Sequence, residues 1–365
     1  MQLHLTSEQS LLRDSAAKFI GAAGPKAARS ARDDRYSFAP QRLREAGALG
    51  WLGILVPEAA GGQGLGITEL ALVLEQAGRG LVCEPIGFAA ICAAALGQEP
   101  KPHPMLSRAI TGEALIVPAL QERVHGDDPL NPVSRAVADG ATLRLTGKKL
   151  FVCPESADGF LVSAGGRSGP VLCFVARDAP GCSLQPVDTV DGRRLATLDL
   201  ADTPADPISP HPSSRNTVDA LYNLALVALS AELLGVMEEA QLITLDYLRI
   251  RKQFGKFIGS FQALQHQAAN IYLRTETVRS LIFQIAANND PWRIDPAMAA
   301  AAKAKASEDA LFVTEACIQL HGAIGFTDEH DIGLYLKRAM LLSSLCGNAA
   351  AQRRRYVMIA GLTVS

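Results

Sequence analysis

Hydrophobic and polar positions divide the chain into three stretches with different periods. Over residues 1–112 the apolar side chains recur at helical spacing, starting with Leu11 and Phe19 after a cap at Thr6 or Ser7. This pattern predicts an N-terminal helical domain over 1–112. Its further helices begin near Pro40, at Ile67 and at Phe88.

Residues 113–210 have a different pattern. Glycine, proline and aspartate mark turns, and the apolar residues come in short runs that are typical of strands. Several short strands at this spacing predict a middle domain built as a small antiparallel β-barrel. The runs are 114–117, 141–145, 160–163, 171–176 and 195–200.

Helical spacing returns over residues 211–365. The segment 216–250 is apolar nearly all round, which is typical of a helix buried on several sides and predicts contacts with a neighbouring subunit. Four long helices with short links predict a C-terminal four-helix bundle. The whole order defines a multidomain α+β fold, and the lack of βαβ alternation and of GxGxxG disfavours a Rossmann enzyme. The four helices are 216–250, 261–288, 296–320 and 328–344.

Composition excludes several classes of protein. The 365 residues carry 35 Lys and Arg against 37 Asp and Glu, so a nucleic-acid partner is not expected. Seven scattered cysteines form no CxxC pair, so we expect neither a metal site nor a disulfide framework. The N-terminus has the pattern of an amphipathic helix rather than a signal peptide, and no uninterrupted apolar run has the length of a membrane span. We therefore expect a cytoplasmic protein with no membrane segment.

Four motifs occur in order along the chain. They are PEAAGGQGLG at 57–66, LTGKK at 145–149, YLRIRKQFGK continued by IGSFQALQH over 247–266, and QLHGAIGF at 319–326. With the three-part layout they resemble the acyl-CoA dehydrogenase family. The resemblance implies FAD as cofactor, an acyl-CoA substrate and electron-transfer flavoprotein as electron acceptor. It also implies a carboxylate base that takes the α proton while flavin N5 accepts the β hydride.

The resemblance also implies which residues contact FAD. Arg251 would reach the pyrophosphate, for which a guanidinium has the charge and the geometry. In the family these elements contact the flavin that the neighbouring subunit holds. Arg251 paired to a helix-face carboxylate, and Phe254 as a core residue, are the structural alternatives. The implied contact residues are Arg251, Gln253, Phe254, Gln262, Gln319, Leu320, Gly322 and Ala323. His266 and His321 are predicted to be hydrogen-bonded bundle histidines rather than catalytic groups.

Elsewhere the sequence departs from the family. Cys346 stands where most members have the glutamate base, and Lys252 stands where a second subset has it. The strand whose threonine would touch flavin N5 is replaced by Phe151–Pro154, and the stretch upstream of it by Gln121–Gly126. Neither a thiol nor an ammonium is a good substitute for a carboxylate base at neutral pH.

The missing residues are those that would contact this subunit's own flavin or act as its base. The residues that would contact a neighbour's flavin, such as Arg251 and Gln262, are present. The leading hypothesis is therefore the base-lacking subunit of a heteromeric (α2β2) bacterial acyl-CoA dehydrogenase, a type known from steroid side-chain degradation. One alternative is a homo-oligomer whose base has moved to Glu329 or Asp331. Another is a structural paralogue without flavin chemistry.

Overall fold

The first third of the protein is helical. The computed structural model describes residues 5–21, 24–34, 38–98, 102–126, 128–140, 142–208 and 214–362. The first helix is capped as predicted, since the Thr6 hydroxyl accepts the Gln9 N–H and the Gln9 side chain accepts the Thr6 N–H. The helices in this part are α1 (Ser7–Gly21), α2 (Gly24–Asp34), α3 (Pro40–Ala48), α4 (Ile67–Arg79), α5 (Ile86–Leu96) and α6 (Leu106–Thr111).

The middle part forms a closed five-stranded barrel with one extra strand on each of two members. Strand β4 pairs with β2 and β5, and the circuit continues through β3 and β7 back to β5. Strands β1 and β6 add to β4 and β7, respectively. The strands are β1 (Ile116–Ala119), β2 (Arg135–Asp139), β3 (Thr142–Val152), β4 (Gly159–Gly166), β5 (Gly169–Ala176), β6 (Cys182–Asp188) and β7 (Arg194–Pro207).

The prediction of a wholly antiparallel barrel was wrong. Strand β1 runs parallel to β4 over four paired residues, and β2 makes one parallel pair with β4. Every residue of β1 is buried, because the strand lies between the helical part and the barrel. A strand buried on both faces has a continuous apolar run rather than an alternating one, which is what residues 114–117 show.

The C-terminal part is a bundle whose four long helices match the predicted ones. A fifth helix, α11, packs on α9 and was not predicted. Helix α7 is long and apolar enough to cross a membrane, but the most apolar 18 residues are 94% buried inside the protein, as in a core helix. The helices are α7 (Ser214–Ile250), α8 (Gln262–Ala286), α9 (Pro296–His321), α10 (Ile332–Ser344) and α11 (Ala349–Ile359).

Element types change close to both predicted domain boundaries. Helix α6 ends at Thr111 before β1, and β7 ends at Pro207 before α7. The boundary at 210–211 and the first residue of the predicted strand 141–145 lie outside the described residues. The three parts pack on one continuous hydrophobic core, so the domain limits themselves stay a prediction.

Candidate functional site

Two helix ends and one helix start meet at one end of the bundle. Helices α7 and α9 end next to each other. The Tyr247 ring near the end of α7 stacks on the ring of His321, the last residue of α9, with centroids 4.5 Å apart. A short hairpin, β8 (Lys252–Gln253) and β9 (Lys256–Phe257), follows α7 and leads into the start of α8. The chain thereby brings the RKQFG and QLHGAIGF motifs together, although about 60 residues separate them.

The hairpin places an aromatic side chain in solvent. Its turn residues Phe254 and Gly255 both have positive φ, 53° and 79°, which is the type of turn that fits a two-residue hairpin. Phe254 is 90% exposed, so its alternative interpretation as a core residue was wrong. Lys252 Nζ lies over the Phe257 ring at 4.6 Å, which braces the hairpin from the side.

Seven of the predicted flavin-contact residues come from the hairpin after α7, the start of α8 and the end of α9, and we call this set the bundle-end face. It consists of Arg251, Gln253, Phe254, Gln262, Gln319, Gly322 and Ala323, all of them exposed. Within the described part of the chain the Arg251 guanidinium has no hydrogen-bond or ion-pair partner, which excludes the predicted alternative of a pairing with a carboxylate there. Leu320 is the exception, because its side chain is buried in the bundle.

Gly322 has an open environment and a backbone that favours glycine. Its φ is +65°, and a side-chain carbon added there would meet no atom of the described residues within 4 Å. The following residues form a single 3-10 turn, Gly322–Phe326. A ligand can therefore approach the backbone of this turn closely.

Two positions, which the resemblance links to this subunit's own flavin and base, line one small cavity. Cys153, from the segment that replaces the flavin-contacting strand, and Leu345, next to the vacant base position, line the same cavity. Its volume is about 20 Å³. That is room for about one water molecule, whereas ligand pockets are typically 300–1,000 Å³.

A buried network of charges fills the space beside this cavity. Arg338 Nε donates to Asp191 at 2.8 Å, and its Nη1 donates to the Val82 carbonyl and lies 3.3 Å from Glu232. Arg193 Nε donates to the same Asp191 carboxylate at 3.0 Å. Burial alone would raise the pKa of Asp191, but the two guanidinium groups outweigh it and lower that pKa well below the usual range. The network joins α7, α10, the barrel and the segment after α4.

Glu232 is the carboxylate that sequence reasoning missed. It lines the small cavity, together with Arg193. Its side chain lies 3.3 Å from Arg338 and 3.9 Å from Arg193. These two cations stabilise the ionised carboxylate, which makes it a poor acceptor of a substrate proton. The signal in the sequence was a single glutamate within the apolar run 224–237.

Cys346 lies in a closed environment. Burial raises the pKa of its thiol to about 11, so the group is a neutral thiol at pH 7. The nearby ammonium of Lys303 is fully buried and donates to Ser307 Oγ at 2.8 Å and to the Ser343 and Gly347 carbonyls at 3.2 and 3.3 Å. Burial lowers the pKa of Lys303 to about 8.

The two weak base candidates lie far from the cavity. Glu329 and Asp331 precede α10, whereas Cys346 follows its last residue. Thirteen helical residues at 1.5 Å each put about 20 Å between these positions. Glu329 is exposed, and Asp331 forms an ion pair with Arg29 of α2. The structure does not bring these carboxylates to the cavity.

The other predicted positions have structural surroundings. Lys252 is exposed on the hairpin after the end of α7, whereas the cavity-lining residues of that helix, Ala228, Leu229 and Glu232, lie near its middle. In the segment Gln121–Gly126, the Glu122 carboxylate accepts from Lys149 Nζ at 2.7 Å and from the Ser134 N–H at 2.8 Å. The charge of Lys149 lowers the pKa of Glu122 against the effect of burial. This segment therefore ties a loop to the inside of the barrel.

The two histidines behave differently. His321 is a bundle histidine as predicted, with Nδ1 2.8 Å from the Cys317 carbonyl. His266 is exposed on α8 and makes no hydrogen bond within the described residues, so its prediction as a hydrogen-bonded bundle histidine was wrong. A larger cavity, about 650 Å³ between α2, α3 and the segment after α4, contains none of the predicted site residues.

Family models match both helical parts. Residues 6–101 match the acyl-CoA dehydrogenase N-terminal domain, and residues 221–359 match its C-terminal domain. The acyl-CoA dehydrogenase IpdE2 of Mycobacterium tuberculosis is 31% identical over 336 residues, which cover 91% of each chain. The chain belongs to the acyl-CoA dehydrogenase family. This family consists of FAD-dependent oxidoreductases that act on CH–CH bonds, so the predicted family, enzyme class and cofactor are confirmed at that level.

Solved structures have the same fold. A variant of the Tcur3481-Tcur3483 steroid ACAD is 32% identical, with a TM-score of 0.89 over 97% of this chain and 98% of that one. The ChsE4-ChsE5 complex from Mycobacterium tuberculosis is 25% identical, with a TM-score of 0.87 over all of both chains. Butyryl-CoA dehydrogenase from Megasphaera elsdenii, at 22% identity and a TM-score of 0.88, is similar in fold.

The residues of this acyl-CoA dehydrogenase fit FAD at one place and not at the other. The bundle-end face offers an unpaired guanidinium at Arg251 and an accessible backbone at Gly322, which are groups that bind phosphate oxygens. The cavity between Cys153 and Leu345 has no room for a flavin ring. Phe151–Pro154 also carries no hydroxyl or amide side chain that could donate to one.

Proposed function

We propose that this chain is the base-lacking subunit of a heteromeric acyl-CoA dehydrogenase. Its bundle-end face contacts the FAD held by a partner subunit, and the partner carries the base and the acyl-CoA. The observation that carries this proposal is the size of the cavity between Cys153 and Leu345, about 20 Å³ at the position where the family places its own reaction. A flavin and an acyl thioester need a pocket many times larger.

The titratable groups near this cavity support the same proposal. General-base catalysis needs a group that is deprotonated and free to take a proton at the working pH. The Cys346 thiol has its pKa raised to about 11, and Glu232 is held by Arg193 and Arg338. The relocated bases predicted for a homo-oligomer, Glu329 and Asp331, are about a helix length away.

The bundle-end face supplies binding rather than chemistry. Arg251 binds pyrophosphate oxygens through a permanently charged, forked donor, and the turn after Gly322 brings backbone N–H groups close. When bound, FAD supplies the acceptor for the hydride that leaves the β-carbon. Gln262, Gln253 and Gln319 add neutral donors and acceptors around the phosphates. This division of work leaves the acid–base step to the partner.

The relatives suggest the substrate class. The 32% identical Tcur3481-Tcur3483 protein is a steroid ACAD, and the ChsE4-ChsE5 structure is a complex of two proteins. We therefore propose a CoA thioester of a steroid-derived side chain as substrate, and electron-transfer flavoprotein as the acceptor of the electrons. A cytoplasmic location and an α2β2 tetramer follow from the same proposal.

Co-purification is the test. The chain is expressed alone and together with the product of a neighbouring dehydrogenase-like gene. Mass is measured by light scattering, and flavin by its absorbance near 450 nm. We expect a colourless protein alone and a yellow heterotetramer on co-expression. A yellow homo-oligomer that turns over acyl-CoA would support the homo-oligomer with a relocated base. A colourless chain in both experiments would support a structural paralogue.

A further inference from the structure

Three rings form a cluster directly behind the bundle-end face. The His321 ring stacks on Tyr247, at 4.5 Å and an interplanar angle of 27°, and meets His330 at 4.4 Å and 56°. Tyr247 and His330 also contact each other edge to face, with centroids 6.5 Å apart. Tyr247 belongs to the last turn of α7, and its carbonyl accepts the Arg251 N–H at 2.9 Å. The ring cluster therefore joins the end of α7, the end of α9 and the segment before α10.

His321 connects the two halves of the predicted phosphate contact. It is the last residue of α9, and Gly322 follows it at once. Through Tyr247 its ring is packed against the helical turn that carries Arg251. His321 thus contacts both the end of α7 that carries Arg251 and the turn that begins at Gly322. His321 is only 3% exposed, so its ring is part of the packed bundle and not of the surface.

The hydrogen bond of His321 decides which nitrogen carries the proton. A carbonyl only accepts, so Nδ1 donates to the Cys317 carbonyl, and Nε2 is the bare acceptor of a neutral ring. Among the described residues, this buried Nε2 has no hydrogen-bond partner. A second proton would create a buried cation at a position with nothing to receive it.

No carboxylate is directed at His321 from the described elements packed against it. Helix α7 presents Tyr247, α9 presents Cys317, and the segment before α10 presents His330. Burial and the neighbouring His330 lower the pKa of His321, and only the Cys317 carbonyl acts in the opposite direction.

The two aspartates beside His330 already have partners. Asp328 binds Arg32, and Asp331 binds Arg29, both from α2. Glu329 is exposed to solvent on the same segment. Asp328 and Asp331 therefore hold α2 in place, and among the described residues no carboxylate serves as a counter-ion for the His321 imidazole.

We propose that His321 is a positioning residue for flavin binding: its neutral ring, packed against both Tyr247 and His330, holds Arg251 relative to the Gly322 turn. This inference rests on the proposed function, because it concerns the FAD of a partner subunit. Its consequence is a flavin affinity that depends on the protonation of a residue that does not touch the flavin. A residue with only a packing role would show no such dependence.

The experiment measures the FAD dissociation constant of the co-purified complex between pH 5 and 8 by flavin fluorescence. For the wild type we expect the affinity to fall as the pH is lowered from 8 to 5, by at most about tenfold per pH unit, as for one linked proton. His321→Phe keeps a stacking ring that cannot titrate, so we expect near wild-type affinity at pH 8 and a flat profile. His266→Phe, which removes an exposed histidine, is the matched control and should keep the wild-type profile.

A second variant keeps the test decisive if His321→Phe does not assemble. Tyr247→Leu removes the stacking partner and leaves the imidazole, so we expect weaker binding at every pH and a retained pH dependence. A flat wild-type profile in a complex that binds FAD would overturn this inference alone. A complex without any flavin would overturn the proposed function as well.

Discussion

Two regions of this protein carry the residues that the family resemblance links to FAD, and they differ in what surrounds them. At the cavity beside Cys153 and Leu345, side chains of three parts of the chain have closed the space to about 20 Å³. At the bundle-end face, Arg251 and the Gly322 turn are open to solvent. The same fold thus contains one closed region and one region that is open to solvent.

The difference lies in how each region satisfies its charges. In the closed region, Asp191, Glu232, Arg193 and Arg338 pair with one another inside the protein. In the open region, Arg251 has no partner within the described chain, so its charge is available to a ligand. The closed region therefore differs from an open flavin site in its volume as well as in the residue at the predicted base position, Cys346.

Enzyme activity gives the clearest test of the difference between the two regions. We expect the chain alone to be inactive and the co-purified heteromer to be active in a ferrocenium-coupled assay with acyl-CoA and steroid-CoA thioesters. Loss of a general base alone typically costs 10²–10⁴ in rate. Cys346→Glu should not restore activity to the single chain, because the cavity stays closed. Robust flavin-dependent turnover by the chain alone would show that the closed region can hold a flavin and a substrate.

The charge network gives a test on stability. Arg338→Met removes the cation that binds Asp191 and Glu232, and breaking a buried pair from one side costs about 3–5 kcal/mol. Urea unfolding should show this loss. Arg353→Met, at an exposed pair with Glu308, is the control and should change the unfolding free energy by at most about 1 kcal/mol. Equal effects would mean that the network does not hold the region closed.

The buried Lys303 of the closed region should make the unfolding free energy depend on pH. The pKa of Lys303 is lowered to about 8 from 10.5, so between these values the unfolded chain binds more protons and the unfolding free energy rises with pH. Relative to Lys303→Met, the wild type should gain on the order of 3 kcal/mol from pH 7.5 to 10.5, at about 1.4 kcal/mol per pKa unit. Urea unfolding at both pH values measures it, and the exposed Lys148→Met is the control. A constant difference would show that the ammonium is not buried.

The open region has the smallest expected effect and a close control. Arg251→Ala removes a charge-assisted phosphate contact of about 1.5–3 kcal/mol, which corresponds to roughly 10–150-fold weaker FAD binding by the co-purified complex. Arg249→Ala, two residues earlier and paired with Asp246, should leave the affinity unchanged. Fluorescence titration and circular dichroism separate binding from folding. Equal affinities in both variants would remove Arg251 from the flavin contact.

Local patterns were sufficient for the elements that have a strong period. The helices from Ile67, Pro296 and the long α7 were predicted from apolar spacing, and Thr6 was predicted as a cap. Helices α2 and α6, strands β2 and β6, and α11 were missed. Their stretches are short or polar, with two or fewer buried residues in each helix, so their pattern is too weak to detect.

By itself, the sequence determined the family, the order of helices and strands, and the vacancies at Cys346 and Lys252, because motifs and periods are local properties of the chain. Only the tertiary structure decided that Asp191, Arg193, Glu232 and Arg338 meet beside Cys153, and that His321 packs against Tyr247 and His330. These residues come from separate helices, strands and loops. Their contacts, their charges and the volume left between them depend on how the three parts pack, and no local pattern contains that information.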